Sequence, residues 1–132
     1  MSVPERPVAK PRPVYLNLVA IRLPLPGIVS ILHRISGAFL FVVGIPVLLA
    51  FVGASLASPE SFASLKACLA NPFAKLLALA FAWAYLHHFC AGIRYLLLDV
   101  LVGIDLPAAR RSSVVVLVVS LALTLFVGWR LW

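Results

Sequence analysis

Apolar positions along this chain run in three long stretches, from about Ile28 to Leu56, about Pro72 to Leu101 and about Ser113 to Leu131. Polar residues gather in the short links between them, at Ser58-Pro59-Glu60, at Asn71 and from Asp105 to Arg111. A bilayer core about 30 Å thick needs roughly 20 apolar residues in a helix, so each stretch is long enough to cross. Lipid offers no partner for free backbone groups, which makes helices the expected form of all three. The pattern predicts an all-α membrane protein of three transmembrane helices, a single membrane-anchor domain over residues 1–132 with no room for a separate soluble catalytic unit.

The punctuation fills in the remainder. Pro4, Pro7, Pro11 and Pro13 discourage any helix in the leader. The mixed segment Val14–Leu23 is short enough to lie along the inner interface, which makes 1–27 a cytoplasmic tail with an interfacial segment. Pro24 and Pro26 are expected to turn the chain into span one, and Pro46 to kink that span. Ser58-Pro59-Glu60 has an N-cap, a proline at the first helical position and an acid near the positive dipole end. It predicts a short outer helix ending near Asn71, where Asn71-Pro72 repeats the signal and opens span two. Asp99, Asp105 and Pro107 mark the exit and the inner loop. Span three has only Ser120 and Thr124 as interior polar groups and reads as a lipid-facing packing helix ending in interfacial Trp129 and Trp132.

Composition places the chain far outside the soluble class: 64% of its 132 residues are hydrophobic and its mean hydropathy is +1.12, against about 45–50% apolar in soluble domains. The net charge of +7 reports topology and not nucleic acid. Arg6, Lys10, Arg12, Arg22 and Arg34 precede or open span one, and Arg94, Arg110 and Arg111 surround the link from span two to span three. Lys66, Lys75 and Arg130 fall on the opposite side. Positive residues mark the cytoplasmic face, so the N-terminus is expected inside and the C-terminus in the periplasm, with anionic lipid against the basic face. Cys68 and Cys90 lie roughly 30 Å apart along a helix axis, beyond the reach of a disulfide. The first apolar run is too long for a cleavable signal, and the leader makes a poor transit helix, which favours a bacterial inner membrane.

Candidate chemistry sits where polarity is costly. Ser30, His33 and Arg34 stand at the mouth of span one, and a central charge costs roughly 2.5–3.5 kcal/mol, less near an interface. Span two runs the opposite way; His88, roughly 24 Å past Pro72, reaches the same inner half. Ser30, Arg34 and Gly37 share one face of span one, and Ala84, His88, Gly92 and Tyr95 share one of span two. Small residues around His88 leave a groove for a flat ring, while His87 points about 100° away beside Trp83. An intramembrane histidine can instead hydrogen-bond across helices, Arg34 can snorkel to headgroups, and Arg94 and Asp99 read as interfacial charges. The conjunction at one depth favours an axial haem ligand with a cation and a hydroxyl near the aqueous side. One histidine fills one axial position, so a second chain is expected to supply the other; His33 lies at the cofactor's edge.

Arg12-Pro13-Val14, Ile21-Arg22, Ser30-Ile31-Leu32-His33-Arg34-Ile35-Ser36-Gly37 and His88-Phe89-Cys90-Ala91-Gly92-Ile93-Arg94 with Asp99 resemble the cytochrome b556 subunits of succinate dehydrogenase, respiratory complex II, in their proteobacterial form. The resemblance covers nearly the whole chain, Ser58-Pro59-Glu60 included. It implies one half of a heterodimeric anchor that carries a b-type haem with a second small anchor subunit. That anchor docks an iron–sulfur subunit and, through it, a flavoprotein that oxidises succinate. By motif position His88 resembles the ligand to haem iron, His33 and Arg34 resemble propionate neighbours, and Ser30, Ile31 and Arg34 resemble the ubiquinone site. Many relatives carry histidine where this chain has Tyr95, which can donate a hydrogen bond but cannot become cationic. Two other functions remain open on the sequence: the anchor of a fumarate reductase, and a haem-free scaffold or transport subunit whose polar residues only join helices.

Overall fold

A computed structural model describes residues 21–132. The leader and most of the expected interfacial segment, Arg12-Pro13-Val14 included, lie outside the described residues. Helix α1 spans Leu25–Phe39, one π-helical turn spans Leu40–Gly44, and α2 (Ile45–Ala57) continues the same rod. Helix α3 (Pro59–Ala70) is short, and α4 (Pro72–Asp99) and α5 (Leu106–Leu131) are long. Three rods are long and apolar enough to cross a bilayer, Leu25–Ala57, Pro72–Asp99 and Leu106–Leu131.

Helix starts follow proline chemistry throughout. Pro24 caps α1, Pro26 lies in its first turn, and the amides of Gly27 and Ile28 donate to the Pro24 carbonyl. A proline there surrenders only an amide that the helix leaves unpaired anyway. Ser58 Oγ accepts from the Ser61 amide at 3.1 Å, Asn71 Oδ1 from Phe73 at 2.8 Å and Asp105 Oδ2 from Ala108 at 3.3 Å. Glu60, in the first turn of α3, has its carboxyl held below the usual carboxylate range by its backbone N–H and then by the Ser58 side chain. Asp105-Leu106-Pro107 therefore opens α5 at Leu106, several residues before the expected start near Ser113.

A wide π-turn directly precedes Pro46, where the sequence predicts a kink. The proline's missing N–H and bulky ring disturb the hydrogen bond to the carbonyl four residues back, and the rod absorbs this as a π-turn, with the Ile45 amide donating to Leu40 five residues before it.

Helix α4 packs against both α1 and α5, and α1 also touches α5. Val29, Ala91 and Val116 form the core, with Cys90, Tyr95 and Leu117 against it. Two expectations change here. Helix α5 is not simply lipid-facing: Ser113, Ser120 and Thr124 are buried, and their hydroxyls return to their own helix at Ala109, Leu117 and Ser120. Arg94, read from the sequence as an interfacial charge, is buried and hydrogen-bonded to α5. It is 6% exposed, with Nε donating to Ser112 Oγ at 2.9 Å, Nη2 to the Ala109 carbonyl at 3.4 Å and the guanidinium 5.2 Å from the Tyr95 ring centre. Asp99 is exposed. Packing of α5 across the end of α4 offers Arg94 acceptors that a reading of span two alone does not show.

Candidate functional site

The α1–α4 crossing brings the polar residues of both helices to one level. The rings of His33 and His88 stack with centroids 4.2 Å apart and planes 11° apart. His33 also lies 5.1 Å from the Tyr95 ring and covers Gly92, where an added Cβ would sit 3.7 Å from Nε2.

His88 is held through one nitrogen. Its Nδ1 lies 3.1 Å from the His33 carbonyl and 3.3 Å from Ser36 Oγ, while Ser36 Oγ donates to the same carbonyl at 3.0 Å. A carbonyl can only accept, so the proton belongs on Nδ1 and the lone pair on Nε2. Iron-binding imidazoles are commonly arranged this way, with the second N–H on a carbonyl that fixes tautomer and ring orientation. Gly37 makes the approach feasible: a Cβ there would lie 2.7 Å from His88 Cε1.

A groove of about 680 Å³ runs from His88 along the π-turn, between Gly37, Leu40 and Gly44 on one side and Ala78, Phe81 and Ala82 on the other. Its size falls in the range of about 300–1,000 Å³ usual for ligand sites, and its walls are apolar apart from the imidazole and the Tyr85 phenol. The donor set and the groove fit a b-type haem held by His88. Among the described residues no three His, Cys, Asp or Glu side chains converge to hold a metal ion by themselves.

The small residues forming this groove differ from those expected. Ala84 is buried in helix packing and Gly92 is covered by His33, so the space beside His88 is opened by Gly37 and Gly44 of span one. The His33 ring lies flat on His88. Ser30 is half-buried, and Ile31 and Arg34 are exposed within the same turns of α1. His87 points inward: it is fully buried, 5.5 Å from the Trp83 ring, and neither ring nitrogen has a hydrogen-bond partner among the described residues. Ser36 is the functional candidate that spacing passes over, although its place one turn after His33 is the signal that could have found it.

Residues 8–127 match the family described as the succinate dehydrogenase/fumarate reductase transmembrane subunit. The chain is 37% identical over 122 residues to the succinate dehydrogenase cytochrome b556 subunit of Coxiella burnetii, covering 92% of this chain and 97% of that one. It is 34% identical over 102 residues to the subunit of the same name from Paracoccus denitrificans, covering 77% and 78%. Against the Rickettsia typhi subunit it is 27% identical over 125 residues, covering 95% and 97%. With the matching profile spanning nearly its full length and relatives of one name aligned over most of theirs, the chain is a multi-pass membrane protein that belongs to the succinate dehydrogenase/fumarate reductase transmembrane subunit family.

Proposed function

We propose that this chain is the b-type haem-binding membrane anchor of a bacterial succinate:quinone oxidoreductase and forms part of its ubiquinone-reducing site. The observation that carries the reading is the imidazole of His88, pinned at Nδ1 by the His33 carbonyl and facing a groove that Gly37 opens. Its Nε2 is the iron donor. A second anchor subunit supplies the other axial ligand, and His33 and Arg34 serve the propionate edge. When bound, haem supplies a one-electron store within the membrane.

Ubiquinone meets the chain at the first turns of α1. The rod Leu25–Ala57 has 33 residues, which is roughly 50 Å of helix against a core of about 30 Å. Shared between its ends, the excess leaves Ser30 at the inner interface and Arg34 just inside it. There the Ser30 hydroxyl donates to a quinone carbonyl, Ile31 supplies apolar wall, and the Arg34 guanidinium stabilises the negative charge that develops as the ring is reduced. Electrons arrive from the iron–sulfur subunit on the cytoplasmic side, fed by a flavoprotein that oxidises succinate. Protons come from the adjacent water. The chain performs no catalysis in isolation.

Ser30→Ala and Arg34→Ala are each expected to lower succinate:ubiquinone reductase activity of the purified complex roughly 10-fold or more. Succinate oxidation with a soluble acceptor should stay near wild type. Unchanged quinone reduction in both variants overturns the quinone site. A reduced-minus-oxidised visible spectrum should show b-type bands that His88→Ala loses or alters, and a complex without such bands overturns the haem reading.

A further inference from the structure

We propose that Ser36 is a positioning residue for His88, acting with Gly37: the Ser36 hydroxyl and the His33 carbonyl form a two-oxygen acceptor that holds the Nδ1 proton and aims Nε2. The inference rests on the reading of His88 as the iron ligand and goes beyond it, because it assigns the tuning of that ligand to a residue that is not itself a ligand.

Three observations converge. Ser36 is only 6% exposed, so its hydroxyl is not a solvated surface group. Its proton is committed to the His33 carbonyl at 3.0 Å, which leaves the oxygen lone pairs for the His88 N–H at 3.3 Å. The imidazole N–H is thereby shared between two oxygens of one helical turn, the carbonyl at 3.1 Å being the nearer. Two acceptors on Nδ1–H draw electron density toward Nε2 and make the ring a stronger donor to the ferric state, the effect outer partners have on metal-bound histidine. Gly37 adds the steric half. With a Cβ 2.7 Å from Cε1 and 3.2 Å from Nδ1, the ring could not keep this distance from the acceptor pair. Stacking of His33 at 4.2 Å closes the remaining face, so the ring is fixed in direction as well as in tautomer.

The test separates the hydroxyl from its shape. Ser36→Thr and Ser36→Val place nearly identical volumes at the position and differ by the hydroxyl. Both are made in the complete complex, and haem content, the low-spin spectrum and the haem midpoint potential are measured in each. Ser36→Thr is expected to stay near the wild-type potential, whereas Ser36→Val shifts to a more positive one, since a weaker imidazole donor favours ferrous iron. Loss of haem from Ser36→Val alone, by the roughly 10–100-fold fall in affinity typical of outer-partner changes, supports the same conclusion. Equal potentials in the two variants, or equal haem loss in both, assign Ser36 to packing and overturn the inference. Gly37→Ala is expected to alter the low-spin spectrum even where haem is retained, and an unaltered spectrum overturns the seat assigned to Gly37. Failure of the parent reading is distinct from all of these: it appears as a wild-type complex without b-type bands, or as His88→Ala with an unchanged spectrum.

Discussion

A neutral imidazole carries one donor and one acceptor, and leaving a buried polar group unpaired costs roughly 1–3 kcal/mol. Adjacent residues of α4 meet that demand differently. His88 pairs Nδ1 with the His33 carbonyl, which leaves Nε2 for the proposed ligand, while His87, fully buried, pairs neither nitrogen among the described residues. Replacing an unpaired polar side chain by an apolar one of similar volume is close to neutral or stabilising. His87→Leu is therefore expected to leave haem content unchanged and to hold or raise the thermal midpoint of the purified complex. A drop of several degrees would mean that the imidazole has a partner in the assembled enzyme. Sequence reasoning singles out His88 because depth is countable along a helix, whereas the small residues that open space beside it, Gly37 and Gly44, belong to span one. The inward turn of His87 and the service of Ser36 depend on how α1 and α5 lie against α4. The Ser36–His88 contact joins residues 52 positions apart; the place of Ser36 one turn after His33 hints at it, and the packing of α1 on α4 makes it.

At the scale of elements, the legible parts are those governed by local backbone chemistry. An oxygen-bearing cap followed directly by proline announces α3 and α4, as Ser58-Pro59 and Asn71-Pro72. In Asp105-Leu106-Pro107 the same signal has one residue interposed, and the polar run through Arg110, Arg111, Ser112 and Ser113 disguises a helix already under way. Pro46 is legible as a disturbance, but α-helix, kink and π-turn differ only in how neighbouring carbonyls rearrange. The exit of α4 holds a local cost that can be tested. Leu101 has φ +63°, and the Val102 amide donates to the Leu97 carbonyl at 2.9 Å, a helix end of the kind usually completed by glycine. A side chain in that conformation costs roughly 1–2 kcal/mol, partly offset in a glycine variant by the greater freedom of the unfolded chain. Leu101→Gly is expected to stabilise the complex by about 0.5–1 kcal/mol in detergent unfolding, while Leu101→Ala, which keeps a Cβ, gains nothing comparable.

For the whole molecule, three rods bury very little against one another. Among the described residues the fully or nearly buried apolar side chains are Val29, Ala84, Ala91 and Val116, and α2 contributes none. Phe41 at 72% exposed and Leu49 at 65% belong to surfaces that lipid and the proposed second anchor would cover. The two ends of the bundle differ chemically: Lys75 near the start of α4 sits 5.2 Å from the Trp132 ring at the end of α5, on the side of α3, while Arg94, Arg110 and Arg111 lie toward the other. Under the positive-inside rule we propose that the arginine end faces the cytoplasm and that α3 lies outside. The native cysteines can test this orientation without new labels. Cys68 is exposed on α3, whereas Cys90 is half-buried in α4 against the core. A membrane-impermeant maleimide applied to cells with a permeabilised outer membrane is expected to label the subunit, and Cys68→Ser to abolish the labelling. The site described here also depends on the result. Ser30 and Arg34 lie at the end of span one opposite α3, so periplasmic access to Cys68 places the quinone-facing turns beside the cytoplasmic water that supplies protons. Labelling that appears only after the inner membrane is opened would turn the bundle over, and electrons from a cytoplasmic iron–sulfur subunit would then arrive at the wrong end of α1.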